Sequence, residues 1–230
     1  RPNEKNRVNT GRETFMLPVD WSGEFPVFQG GLEVLKPSIP MPSGVENKTT
    51  SGDYFPNGNF VFTDKFDGNA FDHRWVALRG PREPFSELSK DGVRIKPLDV
   101  SIKEKKPISA LFYRQQHNSF AAEVEMHYTP SSEKDLAGLT CLQSENFNYV
   151  FGITKSGNDN YLLLARTEKG ETKVLASKKL EDNSAVKLQV TADGDNYNFN
   201  FSQNGKAFEN LGGTVSGDIL STNIAGGFTG

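Results

Sequence analysis

The amino-acid sequence predicts an all-β protein, an antiparallel β-sandwich of the jelly-roll type. Strands with apolar–polar alternation recur about every 10–15 residues, and glycine-containing turns separate them. We find no amphipathic helix of ten or more residues. The 230 residues include 35% hydrophobic and 24% charged side chains, which indicates a globular protein rather than a disordered chain.

Period-two alternation defines the clearest strands. Each stretch turns its apolar residues to one face and its polar residues to the other, as a half-buried strand does. The stretches are Phe120–Tyr128, Phe147–Ile153, Val186–Ala192 and Tyr197–Phe201. Turn signals are found at Lys155–Asn158, Glu168–Gly170, Ala192–Asp195 and Gln203–Gly205.

Composition divides the chain into three zones. Residues 1–30 begin polar and then form a short strand-like stretch, Thr14–Val19. Residues 31–58 are rich in proline and glycine without apolar periodicity, which predicts an extended linker. Residues 59–230 carry the alternation and are the predicted sandwich.

Composition also excludes several partners and sites. No apolar run approaches the roughly 18 residues of a membrane helix, so no membrane partner is expected. A net charge of -3 gives no basic footprint for nucleic acid. The single cysteine, Cys141, excludes an intrachain disulfide and a multi-thiolate zinc site. It leaves secreted, periplasmic and cytoplasmic locations equally open.

Two groups of acidic residues are candidates for chemistry. Glu123, Glu125 and His127 share one strand face, where carboxylates could act as the acid and nucleophile of a glycosidase. The favoured alternative is an ordinary solvent-facing strand. Asp64 and Asp67 are candidate calcium ligands in an oxygen-rich loop, with turn capping as the favoured alternative.

Two further stretches suit contacts. The long polar side chains of Tyr113–His117 could bind sugar hydroxyls or pair with carboxylates on the next strand. His73 stands near Trp75 and is interpreted as a packing residue. In Ala225–Gly230, glycines flank Phe228, so its ring is expected either to contact a sugar or a domain, or to be buried in a bent core strand.

These residues resemble the C-terminal portion of glycoside hydrolase family 43 enzymes, which are β-xylosidases and α-L-arabinofuranosidases. The end of their catalytic domain resembles Gly11–Thr14, Pro18–Trp21 and Phe25–Pro26. The concanavalin A-like accessory sandwich that follows it resembles Tyr113–His117, Phe120, Ala137–Leu139 and Gly226–Gly230. By this resemblance, residues 1–30 are the last segment of a catalytic β-propeller, residues 31–58 are the linker that follows it, and residues 59–230 form the accessory domain.

The resemblance implies a partner and a substrate class. The partner is a five-bladed catalytic propeller of the same protein, whose three essential carboxylates precede Gly11 and are therefore expected to be absent from this chain. By the resemblance, these enzymes hydrolyse terminal xylose or arabinose with inversion, which needs room for a water between the catalytic base and the sugar. No cofactor is expected to be required. Xylo- or arabino-oligosaccharides are the expected sugars.

The resemblance also implies two binding residues. Arg12 matches an arginine that reaches the sugar from the propeller, where its guanidinium can donate forked hydrogen bonds. Phe228 matches a loop phenylalanine that closes one side of the pocket, which excludes water and favours short substrates. Family members continue past this loop with further strands, so an end at Gly230 is expected to leave a sheet edge unpaired.

Three function hypotheses remain at this point. The first is an accessory part of a glycosidase that buttresses the propeller and supplies Phe228. The alternative is a free-standing, lectin-like module that binds xylan-type sugars. A third is an autonomous sandwich glycosidase that uses Glu123 and Glu125.

Overall fold

The computed structural model describes residues 5–11, 17–28, 43–44, 58–80 and 83–227. Two compact units divide them, one within residues 1–12 and 65–230 and a smaller one within residues 13–64. The predicted domain boundaries at residues 30 and 58 stay predictions, because most of residues 29–57 lies outside this description.

Two antiparallel sheets form the larger unit. The first contains β8 (Leu136–Ser144), β9 (Phe147–Ser156), β10 (Asp159–Glu168) and β11 (Glu171–Lys179). The second contains β7 (Ser119–Met126), β12 (Val186–Asp193), β13 (Asn196–Gln203), β14 (Glu209–Asn210) and β15 (Val215–Ser216). The strand order is β11-β10-β9-β8 in the first sheet and β14-β13-β12-β7 in the second, where β15 also pairs with β13.

Short elements complete the described chain. Three two-stranded pairs join β1 (Val19–Asp20) to β2 (Val27–Phe28), β3 (Val76–Ala77) to β6 (Leu111–Phe112), and β4 (Ser86–Ser89) to β5 (Gly92–Ile95). A 3₁₀ helix, Gly217–Leu220, precedes the four-residue helix α1, Thr222–Ala225. No helix in the described parts of the chain is long and apolar enough to cross a membrane.

The inward faces of the two sheets form the core. On β13, Tyr197, Phe199 and Phe201 point inward, while three asparagines alternate with them. The Phe199 ring lies 5.4 Å from the Tyr149 ring and 5.5 Å from the Phe151 ring of the opposite sheet. Burying each such side chain stabilises the fold by about 1.5–3 kcal/mol. The predicted antiparallel sandwich is therefore confirmed.

Turns between the strands lie where the glycines predict them. Gly157, Gly170, Gly194 and Gly205 all have positive φ, between 57° and 82°. A residue without a Cβ adopts this left-handed backbone without steric cost, which lets adjacent antiparallel strands be joined by short loops.

Candidate functional site

A joint between the N-terminal segment 5–11 and the C-terminal segment 217–227 is the candidate site; we call it the terminal clasp. The backbone N–H of Thr222 donates to the carbonyl oxygen of Val8 over 3.0 Å. The backbone N–H of Val8 donates to the Asn223 side-chain oxygen over 3.1 Å, and Asn223 Nδ2 donates to the Asn6 carbonyl over 3.3 Å. Both segments belong to the larger unit.

Asp195 anchors the clasp to the sandwich. Its side chain is only 2% exposed, and its Oδ2 lies 3.3 Å from Arg7 Nε and 3.6 Å from Lys5 Nζ. The Asp195 carbonyl accepts a 2.7 Å bond from the backbone N–H of Gly217. Asn9 Nδ2 donates to the Gly217 carbonyl over 3.2 Å, so both segments meet at one turn of the sheet.

The end of the C-terminal segment is held by β8. Gln143 Nε2 donates to the Gly226 carbonyl over 3.0 Å, and the Gly226 N–H donates to the Thr222 carbonyl over 3.0 Å. Gly226 and Gly227 have φ values of 71° and 70°. Side chains with a Cβ rarely adopt a positive φ, so both positions favour glycine.

Arg12 and Phe228, the two predicted binding residues, lie outside the described residues. The description ends at Gly11 on one side and at Gly227 on the other, one position before each of them. Their roles stay predictions. The structure describes the residues that immediately precede Arg12 and Phe228, and both of these stretches belong to the terminal clasp.

Glu123 and Glu125 lie on the outward face of β7, where both are exposed. Glu123 Oε2 accepts a 3.3 Å bond from Gln189 Nε2, and Lys187 Nζ lies 3.6 Å from Glu125 Oε2. His127 follows the strand and is also exposed. These are cross-strand pairs of a solvated sheet face, as the favoured alternative expects.

A shallow depression of about 170 Å³ lies beside Glu125. Its lining contains one carboxylate, that of Glu125, with Lys187, Asn204 and two serines among the other residues. Glycoside hydrolysis by two carboxylates needs a second one across the sugar. This depression therefore lacks the arrangement that an autonomous sandwich glycosidase requires.

The candidate calcium ligands give no cluster. Asp64 belongs to the smaller unit and Asp67 to the larger one. No group of three or more His, Cys, Asp or Glu residues able to hold a metal is found among the residues that the structure covers. Calcium takes six to eight oxygen ligands, so a site here would need backbone oxygens or water in addition. Calcium binding stays a prediction.

Gln115 of the predicted sugar-binding stretch has a structural partner. Its Oε1 accepts a 3.1 Å bond from the Tyr197 hydroxyl, and its Nε2 donates to the His117 carbonyl over 2.9 Å. Burial raises the pKa of Tyr197 to about 12. Gln115 thus satisfies a buried hydroxyl, whereas Arg114 and Gln116 are exposed.

The packing interpretation of His73 is wrong. Its side chain is 72% exposed, with Nδ1 3.4 Å from Asp72 Oδ1. Trp75 packs instead, with its ring 5.2 Å from Phe66 and 5.8 Å from Tyr113. Forked hydrogen bonds from the neighbouring Arg74 hold the pKa of Asp72 well below its usual range.

Sequence reasoning missed the residues that build the clasp. Asn9, Gln143 and Asn223 belong to no motif, and Asp195 is predicted only as part of a turn. Their partners in the clasp are remote in the chain. The pair Gly226–Gly227 is a local signal for irregular backbone, but it does not indicate which side chains hold that backbone.

Comparison with known proteins places the sandwich in a family. The family model described as the beta xylosidase C-terminal concanavalin A-like domain matches residues 63–230. The chain belongs to this family. The resemblance to glycoside hydrolase family 43, drawn above from short stretches, is therefore confirmed.

Relatives of this beta xylosidase C-terminal domain are longer proteins. The chain is 25% identical over 235 residues to the non-reducing end alpha-L-arabinofuranosidase BoGH43B of Bacteroides ovatus, covering 100% of the chain and 42% of the relative. It is 27% identical over 238 residues to a putative beta-xylosidase of Escherichia coli K12, covering 96% of the chain and 41% of the relative.

A solved structure gives the same picture. The crystal structure of a GH43_12 protein retrieved from a capybara gut metagenome matches with a TM-score of 0.89 and 45% identity. The match covers 100% of this chain and 44% of that one. The chain thus spans less than half the length of the relatives it matches.

Proposed function

We propose that this chain is the C-terminal accessory part of a family 43 glycosidase that acts on glycans containing xylose or arabinose. In this role it buttresses the catalytic propeller and contributes Phe228 to the wall of the sugar pocket. The observation that carries the proposal is the terminal clasp, in which Val8 and Asn223 join the two ends of the described unit.

The clasp relates the two residues that the resemblance assigns to the pocket. Arg12 follows Val8 by four positions, and Phe228 follows Thr222 by six. Because Val8 and Thr222 are joined by a backbone hydrogen bond, both residues start from neighbouring anchor points. A domain built this way can present a propeller residue and a sandwich residue to one sugar.

The hairpin β1–β2 supports a partner domain. It belongs to the segment that resembles the end of the propeller, and its aromatic side chains are exposed: Trp21 by 74%, Phe25 by 73% and Phe28 by 58%. Large apolar side chains grouped on so short a hairpin favour an interaction surface. We assign this surface to the rest of the catalytic propeller.

The proposal is tested in the protein that joins this chain to its catalytic portion. Phe228→Ala should raise KM for aryl xyloside or aryl arabinofuranoside about tenfold, because burying a phenylalanine contributes about 1.5–3 kcal/mol and 1.4 kcal/mol is tenfold. The KM for xylotetraose should change less than that for the aryl glycoside, so the ratio of short-substrate to long-substrate kcat/KM should fall. Phe228→Tyr keeps the ring and is the matched control. An unchanged preference in Phe228→Ala would contradict the proposal.

A second candidate function is glycan binding by the outward sheet face. Amide side chains form a ladder across four strands: Asn210 donates to Asn200 over 3.0 Å, Asn200 to Gln189 over 3.1 Å, and Gln189 to Glu123 over 3.3 Å. Such groups match sugar hydroxyls. The ladder side chains, however, bond to one another, and none of them offers an aromatic platform for a sugar ring.

Calorimetric titration with xylo-oligosaccharides and arabinoxylan distinguishes the accessory role from the glycan-binding role. Saturable binding by the chain alone favours a free-standing glycan-binding module.

A further inference from the structure

The turn that follows β13 contains an asparagine directly before a glycine, Asn204 and Gly205. The backbone N–H of Lys206 donates to the Gln203 carbonyl over 3.1 Å, which closes residues 203–206 into a β-turn. Asn204 has a φ of 56° and Gly205 a φ of 68°, the positive values of a type I′ turn. Both residues are exposed.

An asparagine followed by glycine can undergo deamidation. The Gly205 nitrogen attacks Asn204 Cγ and forms a C–N bond, its proton passes to water, and the bond from Cγ to Nδ2 breaks as ammonia leaves. Water then opens the resulting succinimide ring at either of its two carbonyls. The product is aspartate or isoaspartate at position 204, and the net reaction consumes water and releases ammonia.

The attacking group is accessible in this turn. Within the described chain, the Gly205 N–H donates no hydrogen bond, so no partner has to be given up before it reacts. A Cβ built on Gly205 would meet no atom within 4 Å. The surroundings of Gly205 therefore leave space for a five-membered ring, and the lack of a side chain allows the close approach.

Asp182 restrains the asparagine side chain. Asn204 Nδ2 donates to Asp182 Oδ2 over 3.1 Å, and the Ser184 backbone N–H donates to Asp182 Oδ1 over 2.8 Å. Hydrogen bonds from Ser184, and then from Asn204, lower the pKa of Asp182, so its carboxyl is ionised at neutral pH. The amide must leave this carboxylate before its carbon can reach the Gly205 nitrogen. The hydrogen bond therefore slows the reaction.

After the reaction the same contact becomes repulsive. A carboxylate at position 204 has no hydrogen to donate, and it faces the negative charge of Asp182. Isoaspartate also adds one carbon to the backbone of a turn that is closed by the bond from Lys206 to Gln203. Both products weaken the link between the turn 203–206 and the segment 181–184.

We propose that Asn204 is a site of spontaneous deamidation, at which the hydrogen bond to Asp182 sets the rate. The modification replaces a neutral hydrogen-bond donor by a carboxylate and thereby detaches the turn 203–206 from the segment 181–184. It needs the described sandwich alone, so it is independent of the proposed function.

The test follows the purified chain during incubation at neutral pH. Peptide mapping by mass spectrometry measures aspartate and isoaspartate at position 204, and the second Asn–Gly pair of the sequence, Asn57–Gly58, is quantified in its own peptide. The parent is compared with Asp182→Ala, and Asp182→Ser is a second variant should alanine impair folding. Ser184→Ala is the matched control, since its Oγ accepts a 3.2 Å bond from Gln203 and none from Asn204.

We expect Asn204 to deamidate in the folded parent, Asp182→Ala to raise the rate several-fold, and Ser184→Ala to stay close to the parent rate. Asn204→Asp should lower the melting temperature relative to Asn204→Gly, and this difference should shrink in the Asp182→Ala background. A synthetic peptide of residues 200–208 gives the unrestrained rate. An unmodified Asn204 in the chain after the peptide has reacted completely would overturn the proposal. Equal rates in the parent and in both Asp182 variants would do the same.

Discussion

Val8 and Asn223 stand 215 positions apart, yet the Val8 backbone N–H donates a 3.1 Å hydrogen bond to the Asn223 side-chain oxygen. Asn223 Nδ2 in turn donates to the Asn6 carbonyl. One side chain therefore closes the described unit from its first to its last segment. The stability of this closure can be measured separately from that of the core.

Asn223→Ala should loosen the terminal clasp. The change removes two hydrogen bonds, each worth about 0.5–1.5 kcal/mol, so the free energy of unfolding should fall by about 1–2 kcal/mol. Urea unfolding measures this fall, and hydrogen exchange should show faster exchange at Val8 and Thr222. Asn158→Ala, in an exposed turn, is the control and should stay within about 0.5 kcal/mol of the parent. Equal stability of both variants would contradict a closure held by Asn223.

Gly152→Ala should disrupt the four-stranded sheet. Gly152 lies directly opposite Gly138 in the β8–β9 pairing, and a Cβ on it would overlap the Ala137 backbone, its carbonyl carbon lying 2.8 Å away. Backbone yields less easily than a side chain, so we expect a loss of about 3 kcal/mol or failure to fold. Thermal unfolding and soluble yield report the effect. Gly68→Ala, where the nearest atom is 3.6 Å away, is the matched control. A Gly152→Ala variant as stable as this control would show that the pairing is looser than described.

Stability should fall at alkaline pH because of two buried tyrosines. Burial raises the pKa of Tyr149 and of Tyr197 to about 12, from an ordinary value of 10.0. Between pH 10 and pH 12 the unfolded state loses these two protons while the folded state retains them. The contribution of the two tyrosines to the free energy of unfolding is therefore fully present below pH 10 and declines as the pH rises towards 12. Absorbance at 295 nm should show both hydroxyls ionising late, together with unfolding, and Tyr197→Phe should remove one of these transitions. Ionisation of all six tyrosines near pH 10 would contradict their burial.

Calcium at Asp64 and Asp67 is tested by metal removal. If a structural ion is held there, EDTA should lower the melting temperature and excess calcium should restore it, since a ligand that binds only the folded state stabilises it. The double variant Asp64→Asn, Asp67→Asn should abolish that response. A melting temperature that is the same with EDTA and with calcium would remove the calcium prediction.

Much of the sandwich is predictable from sequence because its central strands have one buried face and one solvent-exposed face. Val186, Leu188 and Val190 on β12 alternate with polar residues, as the structure confirms. Strand β10 is not predicted individually, because its run Tyr161–Leu164 does not alternate and a register shift follows Leu164. Strand β11 is missed since it is mostly exposed.

The candidate site is far less predictable. Glycines at 226 and 227 mark a turn, but the choice of Gln143 and Asn223 as its supports depends on tertiary distance. A hydrogen bond between segments so far apart in sequence leaves no local pattern. Similarly, nothing in Tyr113–His117 distinguishes Gln115, which turns inward to Tyr197, from its exposed neighbours.

Turnover by the purified chain alone tests the central claim most directly. We expect no hydrolysis of aryl β-xyloside or aryl α-L-arabinofuranoside above background, because the proposed function assigns the carboxylates that do the chemistry to a catalytic propeller outside this chain. The informative controls are Glu123→Gln and Glu125→Gln. Hydrolysis that persists through purification and is lost in either variant would contradict the account and make the sandwich itself the enzyme.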